Sequence, residues 1–172
     1  MGIGFIRDKL EIKVLILYIA SRLMEPVPLA AMQELTMIDD GIDYFAFSEC
    51  LSDLVKTEHL SLSDDGLYAI TPKGLKNSEI CQSSLPYSVR LRADKELAFY
   101  NQSLLRRSQV KGRYHRRENG TYTVELSLND DVDNLMQLQL MVANEEIAKD
   151  LKRRFENDPE QLYSKLLETL FG

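Results

Sequence analysis

The stretch from Tyr44 to Gly74, YFAFSECLSDLVKTEHLSLSDDGLYAITPKG, reads as a helix, a tight two-stranded ribbon and the start of another helix. Phe47, Leu51, Leu54 and Val55 follow the spacing i, i+4, i+7, i+8, which gives the helix one buried stripe. The segments LSLSD and LYAIT then flank Asp65-Gly66, a strong hairpin signal because glycine accepts the left-handed backbone that tight turns demand. Thr71 is placed to cap the next helix, with Pro72 at its first position. This order is the second half of a winged helix-turn-helix.

Upstream, Phe5 to Met24 reads as a first helix. Leu10, Val14, Ile16, Leu17, Ile19 and Leu23 form a broad apolar face, and Arg7, Asp8, Lys9, Glu11 and Lys13 crowd its exposed start. The run Glu25 to Pro28 stops it, since proline cannot continue the hydrogen-bond ladder. A shorter helix from Pro28 to Thr36 would bury Leu29, Met32 and Leu35. The turn Met37 to Asp43 leads to the third helix, with Asp43 as its cap. The expected plan for residues 1–85 is therefore a winged helix-turn-helix domain.

Past Gly74 the fourth helix runs to Ser83, and Ser83 to Pro86 reads as a boundary. Residues 86–108 form a long connecting helix with Val89, Leu97, Phe99, Leu104 and Leu105. Residues 109–172 read as a small α/β domain. Val110 to Arg117 and Thr121 to Leu128 flank Glu118-Asn119-Gly120, a second hairpin signal. A third strand fits Leu135 to Val142, with Leu138, Leu140 and Val142 on one side. Asn144 caps a helix to Glu156, and Asp158-Pro159 opens a last helix carrying Leu162, Leu166, Leu167, Leu170 and Phe171. The fold class is α+β, ending in a three-stranded antiparallel sheet with two helices.

The 172 residues carry 21 basic and 27 acidic groups, a net charge of −6. A duplex-DNA binder is ordinarily basic, so the total argues mildly against one. The distribution is more informative. Residues 1–85 carry −6, residues 86–117 carry +7, and residues 118–172 carry −7. The basic density thus lies in the connecting helix and the first strand after it. Arg106, Arg107, Lys111, Arg113, Arg116 and Arg117 make a candidate basic patch, or else a solvated face. On the third helix the outward positions read as Glu49, Ser52, Asp53 and Lys56, and the ribbon tip is Asp64-Asp65. Phosphates dominate DNA affinity, so these acids oppose docking there.

No metal-ligating, nucleophilic or phosphate-cradling motif is present, and no enzyme or cofactor is expected. His59, one of two histidines, reads as structural, and Cys50 as a buried thiol. The longest apolar run, Val14 to Ala20, is far short of the ~20 residues that span a bilayer. The sequence reads as a soluble, reduced, cytoplasmic protein.

FIRDKLEIKVLILYI at Phe5 to Ile19, DYFAFSECLSDLV at Asp43 to Val55, YAITPKG at Tyr68 to Gly74 and PYSVR at Pro86 to Arg90 resemble a bacterial family known as domain of unknown function 4364. The YAITPKG segment is also similar to the wing exit of PadR and MarR regulators. The resemblance implies an N-terminal winged helix, a smaller α/β appendage and a homodimer that binds operator DNA. On that reading Ser48, Ser52 and Lys56 face the bases, while Lys73, Lys76 and the basic patch meet the backbone of double-stranded DNA. The alternative is a protein-interaction module that uses the winged helix as a scaffold. The stripe Leu162, Leu166, Leu170 is either a dimer interface or intramolecular core.

Overall fold

The computed structural model describes residues 5, 6 and 8–172, and Arg7 lies outside them. The fold is mixed α+β, with seven α-helices and two three-stranded antiparallel sheets among the described residues. The chain divides into two compact units, one up to Gln102 and one from Ser103 on.

In the first unit, α1 (Lys9–Ala20) is followed by β1 (Val27–Pro28), α2 (Leu29–Thr36), α3 (Tyr44–Lys56), the hairpin β2 (Leu60–Leu62) and β3 (Leu67–Ile70), and α4 (Pro72–Cys81). Helix α1 is shorter than its apolar pattern suggests. Asp8 caps it by accepting from the Glu11 amide, which fixes the start four residues after Phe5, and Ser21 closes it well before Met24. The residues from Val14 to Ala20 are buried on every side, so α1 is the axis of the unit. Leu10, expected on its apolar face, is 70% exposed because it lies in the first turn, ahead of the packed part. Leu29, expected in the core, is also exposed at the first position of α2.

The ribbon gains a strand that its sequence does not advertise. Val27 and Pro28 pair with Tyr68 and Leu67, so the sheet order is β1-β3-β2. Two residues are too few for alternation to show, and Pro28 is tolerated because β1 is an edge. The β2–β3 turn is not a two-residue Asp-Gly loop. The Gly66 amide donates to the Ser63 carbonyl across Asp64-Asp65, and Gly66 then takes a φ of 76°. That is a turn followed by a left-handed glycine, the three-residue hairpin form.

Thr71 to Gly74 locks the hairpin to α4. The Thr71 hydroxyl accepts from the Gly74 amide at 3.1 Å and donates to the Glu58 carbonyl at 2.7 Å. Gly74 is buried, and a methyl group built on it would sit 2.1 Å from the His59 carbonyl oxygen, so only glycine permits this approach.

A 3-10 turn (Gln82–Ser84) leads into α5 (Tyr87–Gln109), within which the division between units falls. Val89, Ala93 and Leu97 of α5 belong to the core of the first unit, whereas Phe99 is 61% exposed. Asp39, in the turn before α3, is buried as well. It was expected as an ordinary turn residue, but its carboxylate is buried and accepts from the amides of Phe5, Ile6 and Gly41 and from Arg92.

In the second unit, β4 (Val110–Arg116), β5 (Tyr122–Asn129) and β6 (Asn134–Val142) form a sheet in sequence order, followed by α6 (Glu145–Asn157) and α7 (Pro159–Phe171). Gly120, with φ 83°, repeats the turn form of the first hairpin. Val124, Leu126 and Leu128 of β5 point at Ala148 and Phe155 of α6. Asn144 and Asp158 cap α6 and α7 as expected.

Candidate nucleic-acid interface

Helix α3 owes its orientation to Phe47, Cys50, Leu51 and Leu54, all buried. Its acids Glu49 and Asp53 face outward as the sequence pattern suggests, but each is paired with a lysine. Lys9 holds Glu49 at 2.6 Å and Lys13 holds Asp53 at 2.9 Å, both reaching across from α1. The hydrogen bond from Lys13 lowers the Asp53 pKa, and that to Glu49 raises the Lys9 pKa. Exposed pairs of this kind add little stability. Their consequence here is electrostatic: the negative side of α3 is neutralised by α1. A signal for this existed in the sequence, since Lys9 and Lys13 are spaced i, i+4 and so are Glu49 and Asp53.

The other side of α3 carries Ser48, Ser52 and Lys56. These three line one shallow groove of about 210 Å³, closed by Leu62 and Tyr68 of the hairpin and by Leu29 at the start of α2. Ser52 and Lys56 are exposed and Ser48 half-buried. Lys76 is exposed on α4. Lys73 is also exposed, but its ammonium donates to the Thr57 carbonyl at 2.7 Å, at the C-terminal end of α3 where a cation is favoured. At the other end of α3, Phe45 is 82% exposed and packs edge-on against the partly exposed Tyr44. In the sequence their exposure is masked by the buried stripe of the same helix.

His59 sits behind this surface and is held at both nitrogens. Asn77 donates to Nε2 at 2.6 Å, which leaves the proton on Nδ1, facing the Thr57 hydroxyl at 2.8 Å. Burial pushes its pKa down, and Lys73 and Lys13 push it further the same way. A neutral, doubly bonded imidazole joins the end of α3 to α4.

The six residues of the basic patch all lie in the second unit and are all exposed, yet they do not share a face. Val110, Gly112 and Tyr114 turn toward α6, so Lys111 and Arg113 point to the open face of the sheet. Arg116 has the opposite parity and acts on Glu145 at the start of α6. Arg117 lies in the turn. Arg106 and Arg107 end α5, and Arg106 is paired to Glu160 at 2.8 Å. On the open face Glu125 stands opposite Arg113 and 3.9 Å from His115, which dilutes the positive charge.

Among the described residues no cluster of three or more His, Cys, Asp or Glu side chains could hold a metal ion. No helix among them is long and apolar enough to cross a membrane. No curated protein and no solved structure matches the chain. A family model does match, over residues 12–170, which covers most of both units. The chain belongs to the family described as Domain of unknown function (DUF4364).

Proposed function

We propose that the first unit is a winged helix-turn-helix related to those of PadR and MarR regulators, and that the chain is a dimeric, cytoplasmic, DNA-binding transcription regulator without catalytic activity. Helices α2 and α3 are its helix-turn-helix and β2–β3 its wing. The observation that carries the reading is the polarity of α3. Its acids are tied back to Lys9 and Lys13, while Ser48, Ser52 and Lys56 open together onto the groove beside the hairpin. Serine hydroxyls and a lysine in that position suit base edges and phosphates. Lys76 and the exposed cations around β4 supply further phosphate contacts.

A second reading has its own support. Phe45 and Tyr44 expose a large apolar surface at the start of α3, beside Asp40 and Asp43, where phosphates would be repelled. That surface suits a protein partner, with the winged helix serving as scaffold.

Fluorescence anisotropy on random duplex DNA, at ~50 and ~200 mM salt, separates the two. Three phosphate contacts predict a loss on the order of 40-fold in affinity between these salt concentrations. Ser52→Glu/Lys56→Glu is expected to lower affinity at least tenfold, because two new acids enter the groove. A variant neutralised at Arg106, Arg107, Lys111, Arg113, Arg116 and Arg117 tests the basic patch. Binding lost there but kept in the α3 variant would move DNA to the second unit. No binding even at the lower salt would overturn the regulator reading in favour of the scaffold.

A further inference from the structure

We infer that strand β6 seats a second copy of this chain, paired edge to edge across a two-fold axis so that two three-stranded sheets become one of six strands. The inference rests on the dimeric part of the reading above and gives it an interface.

The two edges of the sheet differ. An open strand edge presents unpaired amides and carbonyls, and proteins that keep an edge free defend it with charge, proline or shortness. The β4 edge is defended by Lys111, Arg113 and Arg116. The β6 edge, NLMQLQLMV over nine residues, has no charge and no proline, and among the described residues it pairs only with β5.

The inner side of β6 is also incompletely covered. Val124 of β5 is fully buried, but Leu140, its neighbour on β6, is 37% exposed. Helix α6 stands toward β4, where Lys152 and Glu156 lie over Gly112 and Glu145 reaches Tyr114. On its other flank Ile147 is exposed and, with Leu151, borders an open concavity of about 720 Å³. The inner side of β6 is therefore left uncovered at Leu140, while Met136, Leu138 and Val142 are only partly buried.

The fully buried part of the unit is small, with nine partly buried apolar side chains packed around it. Its buried cluster consists of Val124, Leu126, Leu128, Ala148 and Phe155. Both cysteines lie in the first unit and are free. A 70-residue unit with so small a core is ordinarily completed by disulfides, metal or association.

The occupant that fits is β6 itself. In the antiparallel register centred on Leu138, that residue meets its own copy, Met136 meets Leu140, and Gln137 meets Gln139. Like meets like, and no charges oppose. Pairing β4 with β4 would instead bring Lys111, Arg113 and Arg116 against one another. The same two-fold sets α6 antiparallel to its copy. The first half of α6, with Glu145, Glu146, Lys149 and Asp150, carries −2, and the second, with Lys152, Arg153, Arg154 and Glu156, carries +2. Opposite ends of the two copies therefore lie at the same level along the seam, without direct contact.

Sedimentation equilibrium on the full chain, without DNA, tests this. Wild type is expected to dimerise. Gln137→Lys/Gln139→Lys places two lysine pairs across the seam on the solvent face of each strand. It should raise the dimer dissociation constant on the order of tenfold or more. Gln137→Glu/Gln139→Lys sets opposite charges across the same seam and should dimerise as wild type does. Circular dichroism checks that both variants fold. A monomeric wild type, an undiminished dimer in the lysine variant, or equal weakening of both variants overturns the inference. So does loss of the dimer in Leu170→Ser/Phe171→Ser, which would move the interface to the end of α7. Because no DNA is present, a chain that dimerises here but fails the anisotropy experiment sinks the regulator reading and leaves this one standing.

Discussion

The two units bury very different amounts of apolar side chain. In the first, 23 buried residues form one cluster around α1; in the second, five do. Both contain a hairpin built on the same turn, closed by Gly66 in one and Gly120 in the other. The hairpin β2–β3 is a minor appendage to helices that already have a core. The hairpin β4–β5 is most of the framework of its unit. One turn chemistry therefore serves two structural roles, and the difference lies in what the helices supply. A unit organised around a helix buried on all sides can stand on its own core. A unit whose two amphipathic helices back only part of three strands leaves its last strand half covered.

Large-to-small changes in the two cores are the strongest way to break this contrast. Phe47 and Phe155 are each almost wholly buried. Either change to alanine costs about 3–5 kcal/mol. In Phe47→Ala, calorimetry should show the transition of the first unit lowered on the order of 15 °C or more, with that of the second unmoved. In Phe155→Ala the second unit has four buried cluster residues left, and its transition should disappear. A single transition displaced alike by both changes would show that the units do not unfold separately.

Asp39 offers a subtler separation. Burial alone would raise its pKa, but the Phe5, Ile6 and Gly41 amides and Arg92 outweigh that and hold it below 3.8. A carboxylate with a lowered folded pKa stabilises the fold at every pH above its unfolded value. That stabilisation is lost as pH falls from about 3.8 through the folded pKa. Asp39→Ala strands three amide donors, at a cost of about 3 kcal/mol, while Arg92, partly exposed, keeps the Ile38 carbonyl. The loss belongs to the first unit alone. Acid titration followed by circular dichroism should show wild type weakening below about pH 4, while the variant, already weak at pH 7, gains no further dependence from this group.

These residues also show how far the sequence could be read. Asp43, Thr71, Asn144 and Asp158 were legible as caps because a cap and the amide it satisfies lie within four residues. The two glycine turns were legible for the same reason. Asp39 was not, because its partners lie up to 53 positions away. The pairing of Lys9 and Lys13 with Glu49 and Asp53 spans 40 positions and needed the α1–α3 packing to be known. Without that pairing the outward side of α3 reads as negative, although its acids are neutralised by Lys9 and Lys13. The division of the basic patch was within reach, since alternation along Val110 to Arg116 already puts Lys111 and Arg113 opposite to Arg116. Which strand edge was undefended was legible too, but only once the sheet order was known.

The smallest expected effect lies at the end of α3. Glu58 is the one described non-glycine residue with a positive φ, 58°. Its amide donates to the Val55 carbonyl and that of His59 to the Leu54 carbonyl, the paired bonds of a helix end that favours glycine. A side chain in this left-handed conformation costs about 1 kcal/mol, part of which glycine returns through its greater freedom in the unfolded chain. Glu58→Gly should therefore stabilise the first unit by about 0.5 kcal/mol, raising its transition by roughly 2–4 °C. It also removes an acid from the surface that the proposed DNA contact uses, so affinity should rise slightly or hold. If Glu58→Gly instead lowered the transition, the Glu58 side chain would be stabilising this helix end despite its left-handed backbone. The turn would then owe its stability to side-chain contacts rather than to the bond its Glu58 carbonyl accepts from the Thr71 hydroxyl.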